Sequence, residues 1–241
     1  MKKLYILLVV LAMSFGVTAQ SLEGSWKLTE ENGKKLTDKE IIRIYQDNYF
    51  TEGAKKTGSN EFLWAQGGEY SNEDHSVTLD FHTTSPELIG QTTEFDLTWV
   101  DDQTIKIEGP NSVQVWKRVS SKKKDLDGNW VITGRKRGGE MSTMTPGDRR
   151  TIKMLGGGRF QWVAFNSATK EFSGTGGGTY SAENGKYIEN IEFFSRDSNR
   201  VGASLDFNYE LKDGEWHHSG KSSKGDPIYE IWSPYSEAYS K

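Results

Sequence analysis

The chain contains no cysteine, and that one absence removes several classes of protein together. It rules out a disulfide scaffold, a thiolate nucleophile, a Cys-based metal site and a lipidated cysteine behind a leader. Proline is scarce, at 5 in 241 residues, and histidine scarcer, at 4. After residue 19 no apolar run approaches the roughly 20 residues that a membrane-spanning helix needs. Sustained 3.6-residue periodicity is also missing, which leaves little room for helices. Thr37-Asp38-Lys39-Glu40 has capping-box form and is the one place where a helical turn is expected.

Residues 1–19 have the layout of a secretory signal. A basic Met1-Lys2-Lys3 precedes a short apolar core from Leu4 to Met13, and Val17-Thr18-Ala19 ends small before Gln20. The expected product is exported, periplasmic or extracellular, and not a lipoprotein. Without Lys2 and Lys3, 28 bases face 34 acids, a net of −6. The deficit is uneven: residues 20–119 hold 10 bases and 18 acids, residues 125–241 hold 15 and 16. An acidic first half repels a phosphate backbone, so nucleic acid is not an expected partner.

What the chain has in quantity is aromatic residues, arranged in a repeat. Leu22-Glu23-Gly24-Ser25-Trp26 returns as Leu126-Asp127-Gly128-Asn129-Trp130, and each copy closes on a second tryptophan, Trp116 and Trp232. Between them, runs such as Val77-Thr78-Leu79-Asp80-Phe81 and Phe95-Asp96-Leu97-Thr98-Trp99 are strand-like, with turn pairs Asn32-Gly33, Asn184-Gly185 and Asp213-Gly214 between runs. Each copy holds eight to nine strands. The expected organisation is a first domain over 20–119, a Ser/Lys linker over 120–124, a second domain over 125–235 and a tail over 236–241. Ile44/Met154, Phe50/Phe160, Gly68/Gly178 and Tyr70/Tyr180 register the copies. The second gains about six residues before Ile152, within residues 135–150.

Gly24-Ser25-Trp26 and Gly128-Asn129-Trp130, heading all-β units, resemble the Gly-x-Trp opening of lipocalins and their relatives. The wider pattern, with Gly177-Gly178-Thr179-Tyr180 and Glu230-Ile231-Trp232, is similar to bacterial secreted lipocalin-like domains. The resemblance implies an all-β fold of two tandem antiparallel barrels and suggests a small-molecule cavity, without implying a reaction. It also implies that Trp26 and Trp130 close the barrel ends, each covered by an Arg after the last strand. Arg118 stands in that place in the first copy, whereas Trp232-Ser233-Pro234 offers none in the second. Physically, a Trp at a strand start suits this plug: its body fills the taper and its N–H reaches the rim.

The runs Gly156-Gly157-Gly158 and Gly174-Thr175-Gly176-Gly177-Gly178 precede no helix, so they read as turns and a strand bend and not as phosphate loops. The histidines lack metal-ligand spacing, and no metal or cofactor is expected. The two copies differ most in carboxylates. Alternation places Tyr187, Glu189, Ile191 and Phe193 on one strand face and Ile228, Glu230 and Trp232 on another, so Glu189 and Glu230 sit among apolar neighbours. Their first-copy counterparts are Val77 and Gln114. Arg150, in phase with Ile152 and Met154, is the cation expected to join them. These three form either a polar ligand cavity with Tyr187 and Trp162, or a structural ion pair or solvated outer wall. The loop over 135–150, with Met141 and Met144, is either a lid suited to an anionic amphiphile or a plain surface loop.

The expected function is non-covalent binding of a small hydrophobic or amphipathic ligand in the second domain, by a monomer. Two alternatives stay open. One is an adhesion or glycan-binding module presenting Trp64, Trp99, Trp162 and Trp216; the other is an enzyme using Glu189 and Glu230 as acid and base.

Overall fold

The computed structural model describes residues 20–222 and 225–239; the leader expected over 1–19 lies outside the described residues. The first sheet comprises β1 (Gly24–Glu31), β2 (Lys34–Lys35), β3 (Lys39–Gln46), β4 (Tyr49–Lys56), β5 (Phe62–Ser71), β6 (Ser76–His82), β7 (Thr92–Glu94), β8 (Asp96–Asp101), β9 (Thr104–Glu108) and β10 (Val113–Ser120). The second comprises β11 (Gly128–Arg137), β12 (Glu140–Thr143), β13 (Arg149–Gly156), β14 (Arg159–Asn166), β15 (Phe172–Glu183), β16 (Lys186–Phe194), β17 (Ser204–Lys212), β18 (Glu215–Lys221) and β19 (Pro227–Pro234). A single helical turn, α1 (Tyr235–Ala238), follows.

All pairings are antiparallel. The first sheet runs β7-β6-β5-β4-β3-β1-β10-β9-β8 and curls into a nearly closed barrel of nine strands. The second closes fully into eight strands because β11 pairs with both β13 and β19. Closure removes the exposed sheet edge that would otherwise invite pairing with another chain. The helical turn expected at Thr37-Asp38-Lys39-Glu40 does not form. Lys39 and Glu40 already belong to β3, opposite Lys56 and Lys55, so cross-strand bonding takes the backbone groups a helix would need.

The repeat is real at the level of register. Ile44 lies opposite Thr51 across β3–β4 just as Met154 lies opposite Gln161 across β13–β14. Both copies bulge at the same glycine, Gly68 or Gly178. A Cβ there would stand 1.9 Å from a backbone oxygen, that of Thr78 or Asn190, so only glycine fits.

The closed ends follow the aromatic pattern. Trp26 is fully buried and donates from Nε1 to the Leu22 carbonyl at 2.8 Å. Arg118 lies 4.1 Å above its ring and donates to the carbonyls of Glu23 and Ser21 at 2.9 and 2.7 Å. Trp130 makes the matching bond to the Leu126 carbonyl at 3.0 Å, but its ring meets the edge of Trp216 at 5.9 Å in place of a guanidinium.

The two barrels share a dry face. Ile44, Tyr49, Ala65 and Phe81 of the first pack with Val131, Ile152, Met154, Val163 and Phe165 of the second in one buried cluster. Phe81 meets Phe165 at 5.5 Å, and Phe193 stacks on Phe62 at 5.9 Å. Polar ties cross it too: Ser25 Oγ donates to the Gly157 carbonyl at 2.9 Å and Asn129 N donates to Asp47 at 2.9 Å. The apolar alternation of β13 therefore points outward, against the first barrel, and its polar positions point in. That inversion decides where the functional side chains lie.

Candidate ligand-binding site

Inside the second barrel, Lys153 reaches Glu189 at 2.6 Å, and Tyr187 donates its hydroxyl to the same carboxylate oxygen at 2.7 Å. The ammonium is surrounded by the rings of Tyr187, Trp216 and Trp232, at 5.5, 5.3 and 5.2 Å from their centroids. A cation facing ring quadrupoles in a dry interior gains attraction that bulk water would screen. Toward the mouth, Glu230 accepts from Arg135 at 2.9 Å and approaches His218 Nδ1 at 3.4 Å.

Burial alone would raise the Glu230 carboxyl; the neighbouring His218, Lys153 and Arg135 outweigh it and hold the group at about 2. Burial pushes His218 below its ordinary value, against the opposing pull of Glu230, so the imidazole is neutral at neutral pH. The positive charges that then act on Glu230 are Lys153 and Arg135. At the corresponding register positions the first barrel has Ile105, Ile107 and Gln114 where the second has Trp216, His218 and Glu230.

The first barrel is not apolar throughout. Arg43, one residue before Ile44 as Lys153 is one before Met154, pairs with Glu52 and lies 4.2 Å over the Trp116 ring. Both barrels thus hold a buried cation over the tryptophan of their last strand. The partner carboxylate comes from β4 in one and from β16 in the other.

Arg150 does not join this network. It shares the phase of Ile152 and Met154, as the sequence indicates, but that phase faces outward. Its guanidinium donates to the Tyr235 hydroxyl and stacks 4.2 Å from the Tyr239 ring. The cation expected to meet Glu189 is therefore Lys153. Phe193 also leaves the Tyr187–Glu189 face: the bulge at Ile191 turns it outward, where it fills the space over Gly53 and Gly177.

No protein-family model matches this chain, and none of the curated proteins matches it in sequence.

A second feature opens at the mouth. β11 pairs with β13 only from Gly128 to Val131, then diverges to form a hairpin with β12 across Gly138 and Gly139. The six-residue gain is thus an ordered β-hairpin, not a free lid. Where β11 and β13 part, the wall opens into a cleft of about 410 Å³ lined by Ile132, Met144, Pro146, Arg149, Arg150, Ala164, Phe165, Arg196 and Tyr239 among others. Ile132 and Met144 also belong to the barrel core with Tyr187 and Trp232, so the cleft floor is continuous with the interior. A cleft of similar size, about 420 Å³, lies across α1 beside the first barrel, with walls of Asp47, Glu69, Tyr70, Thr78 and Tyr235.

The expected site residues therefore divide. Tyr187, Glu189 and Glu230 meet in the interior; Trp162 packs on the same core, edge to Phe194 at 5.4 Å; Met144 and Arg150 line the cleft; Met141 is exposed on the hairpin. Trp216, expected as an exposed platform, is fully buried, and Trp64, Trp99 and Trp162 are half-buried against the cores. Sequence reasoning missed Lys153, Arg43, Glu52, His218 and Arg196, and it took Arg135 and Arg149 only as bases of the 135–150 loop. The one available signal was the 110-residue offset of Ile44/Met154, which also aligns Arg43 with Lys153.

Proposed function

We propose that this chain is an exported lipocalin-like carrier that holds a small hydrophobic or amphipathic molecule without covalent chemistry, at the mouth of its second barrel. The observation that carries this reading is the cleft between β11 and β13, whose apolar floor of Ile132 and Met144 runs into the barrel core, with Phe165 of the shared face beside it. Its volume falls within the few hundred Å³ typical of small-ligand sites, and mixed apolar and polar walls are the usual composition. The flexible thioether of Met144 adapts to ligands of different outline. The interior network supports a structural role for the two carboxylates. A general acid needs a raised pKa, whereas Glu230 is held at about 2 and Glu189 is engaged by Lys153.

The test is titration of the mature chain with the neutral fluorescent probe N-phenyl-1-naphthylamine. Saturable binding of one probe per chain is expected, abolished by Ala164→Trp, which fills the cleft. A variant that stays folded by circular dichroism and still binds one probe as tightly rules the cleft out.

A further inference from the structure

Three arginines line the cleft: Arg149 from the start of β13, Arg150 beside it, and Arg196 from the loop after β16. None of the three has a carboxylate within salt-bridge distance among the described residues, whereas Arg43, Arg135, Arg159 and Arg200 do; Arg118, also without one, is instead used in covering Trp26. No Asp or Glu lines the cleft. Asp148 acts on Tyr239 electrostatically from outside it. Arg196 is fixed by donating to the Ser173 carbonyl, and Arg150 by Tyr235 and Tyr239, while Arg149 is exposed and its side chain makes no hydrogen bond among the described residues. Asp80 acts on Arg150 from beyond salt-bridge distance, so in a chain with more acids than bases three arginines without an ion pair around one cleft mark a place that lacks its anion.

We infer that the cleft takes an amphiphile with a single anionic head, a carboxylate or a phosphate, which lies among Arg149, Arg150 and Arg196 while its chain runs over Met144 and Ile132 toward the core. This inference rests on the carrier reading above and narrows it to one class of ligand. The planar guanidinium fork matches both oxyanions, and each accepts paired N–H bonds. Arg150 is already held in place by two tyrosines, so it loses little freedom on binding. Arg196 is likewise held by the Ser173 carbonyl, and exposed Arg149 supplies the adjustable contact.

The experiment compares four probes of equal chain length by isothermal titration calorimetry on the mature chain: decanoate, decyl phosphate, decanol and decyltrimethylammonium. Decanoate or decyl phosphate is expected to bind at least tenfold tighter than decanol, with decyltrimethylammonium weakest. Which anion leads separates a carboxylate from a phosphate ligand. Arg149→Gln/Arg196→Gln is expected to erase the anion's advantage and leave decanol binding unchanged. Equal binding of anion and alcohol overturns the inference and leaves the carrier reading standing. No binding of any of the four overturns both. Since Arg149 and Arg196 make no ion pair among the described residues, the variant is expected to fold, and its circular dichroism spectrum checks that.

Discussion

Lys153 and Glu189 meet at 2.6 Å with 7% of each side chain exposed, so neither has water to turn to once the other is gone. Removing one partner of a buried pair strands the other charge, at about 3–5 kcal/mol, whereas replacing both with apolar groups is often nearly neutral. Lys153→Met is therefore expected to lower stability by that amount in urea unfolding, and Lys153→Met/Glu189→Leu to recover most of it; strictly additive losses would show that the pair is not coupled. Acid acts on the same interior. Unfolded, His218 titrates near 6.5 and Glu230 near 4.5; folded, burial holds His218 lower and its charged surroundings hold Glu230 at about 2. In both cases the unfolded chain binds protons that the folded one refuses, so stability is full above about pH 6.5. It declines first as His218 charges in the unfolded chain, then between pH 4.5 and 2 through Glu230. The Glu230 share is about 3 kcal/mol. Glu230→Gln is expected to flatten the lower part of this decline in unfolding curves taken from pH 7 to 2.5, and an unchanged decline would contradict the assignment.

Among the elements, strands and turns were legible in the residues because alternation and Asn-Gly or Asp-Gly pairs act locally. Facing was not. β13 alternates Ile152, Lys153, Met154 and Leu155, and both faces are buried, one by the barrel interior and one by the other barrel. Apolar phase alone cannot tell these apart, which is why Arg150 looked inward and Lys153 did not. β16 adds a second reason: its bulge reverses the faces beyond Ile191, and only the run of glycines opposite hinted at it. The bulge also makes a sharp prediction. Gly178→Ala would place a Cβ 1.9 Å from the Asn190 carbonyl, whereas Gly147→Ala meets nothing within 4 Å. The first is expected to lose upward of about 2 kcal/mol and the second to stay within about 0.5, as melting curves would show.

For the molecule as a whole, the shared face makes two barrels one unit. Met154 is fully buried in it, with its sulfur accepting from the Thr51 hydroxyl of the first barrel at 3.7 Å. Because its side chain points away from the second barrel's interior, Met154→Asp is expected to leave each barrel folded and to break their contact. Calorimetry should then resolve two transitions where the native chain gives one. A single transition at a lower temperature would mean that the barrels cannot stand apart. The two copies differ along their last strands: Gln114, Ile105 and Ile107 stand in the first barrel where Glu230, Trp216 and His218 stand in the second, while each keeps its own buried ion pair.

The most direct measurement is diffraction from crystals of residues 20–241 grown with 12-bromododecanoate, using the bromine's anomalous signal to locate the tail. The bromine is expected beyond Met144 toward Ile132, with the carboxylate among Arg149, Arg150 and Arg196. A bromine peak inside the first barrel, in the cleft beside Tyr70 and Tyr235, or nowhere in the molecule would contradict the account.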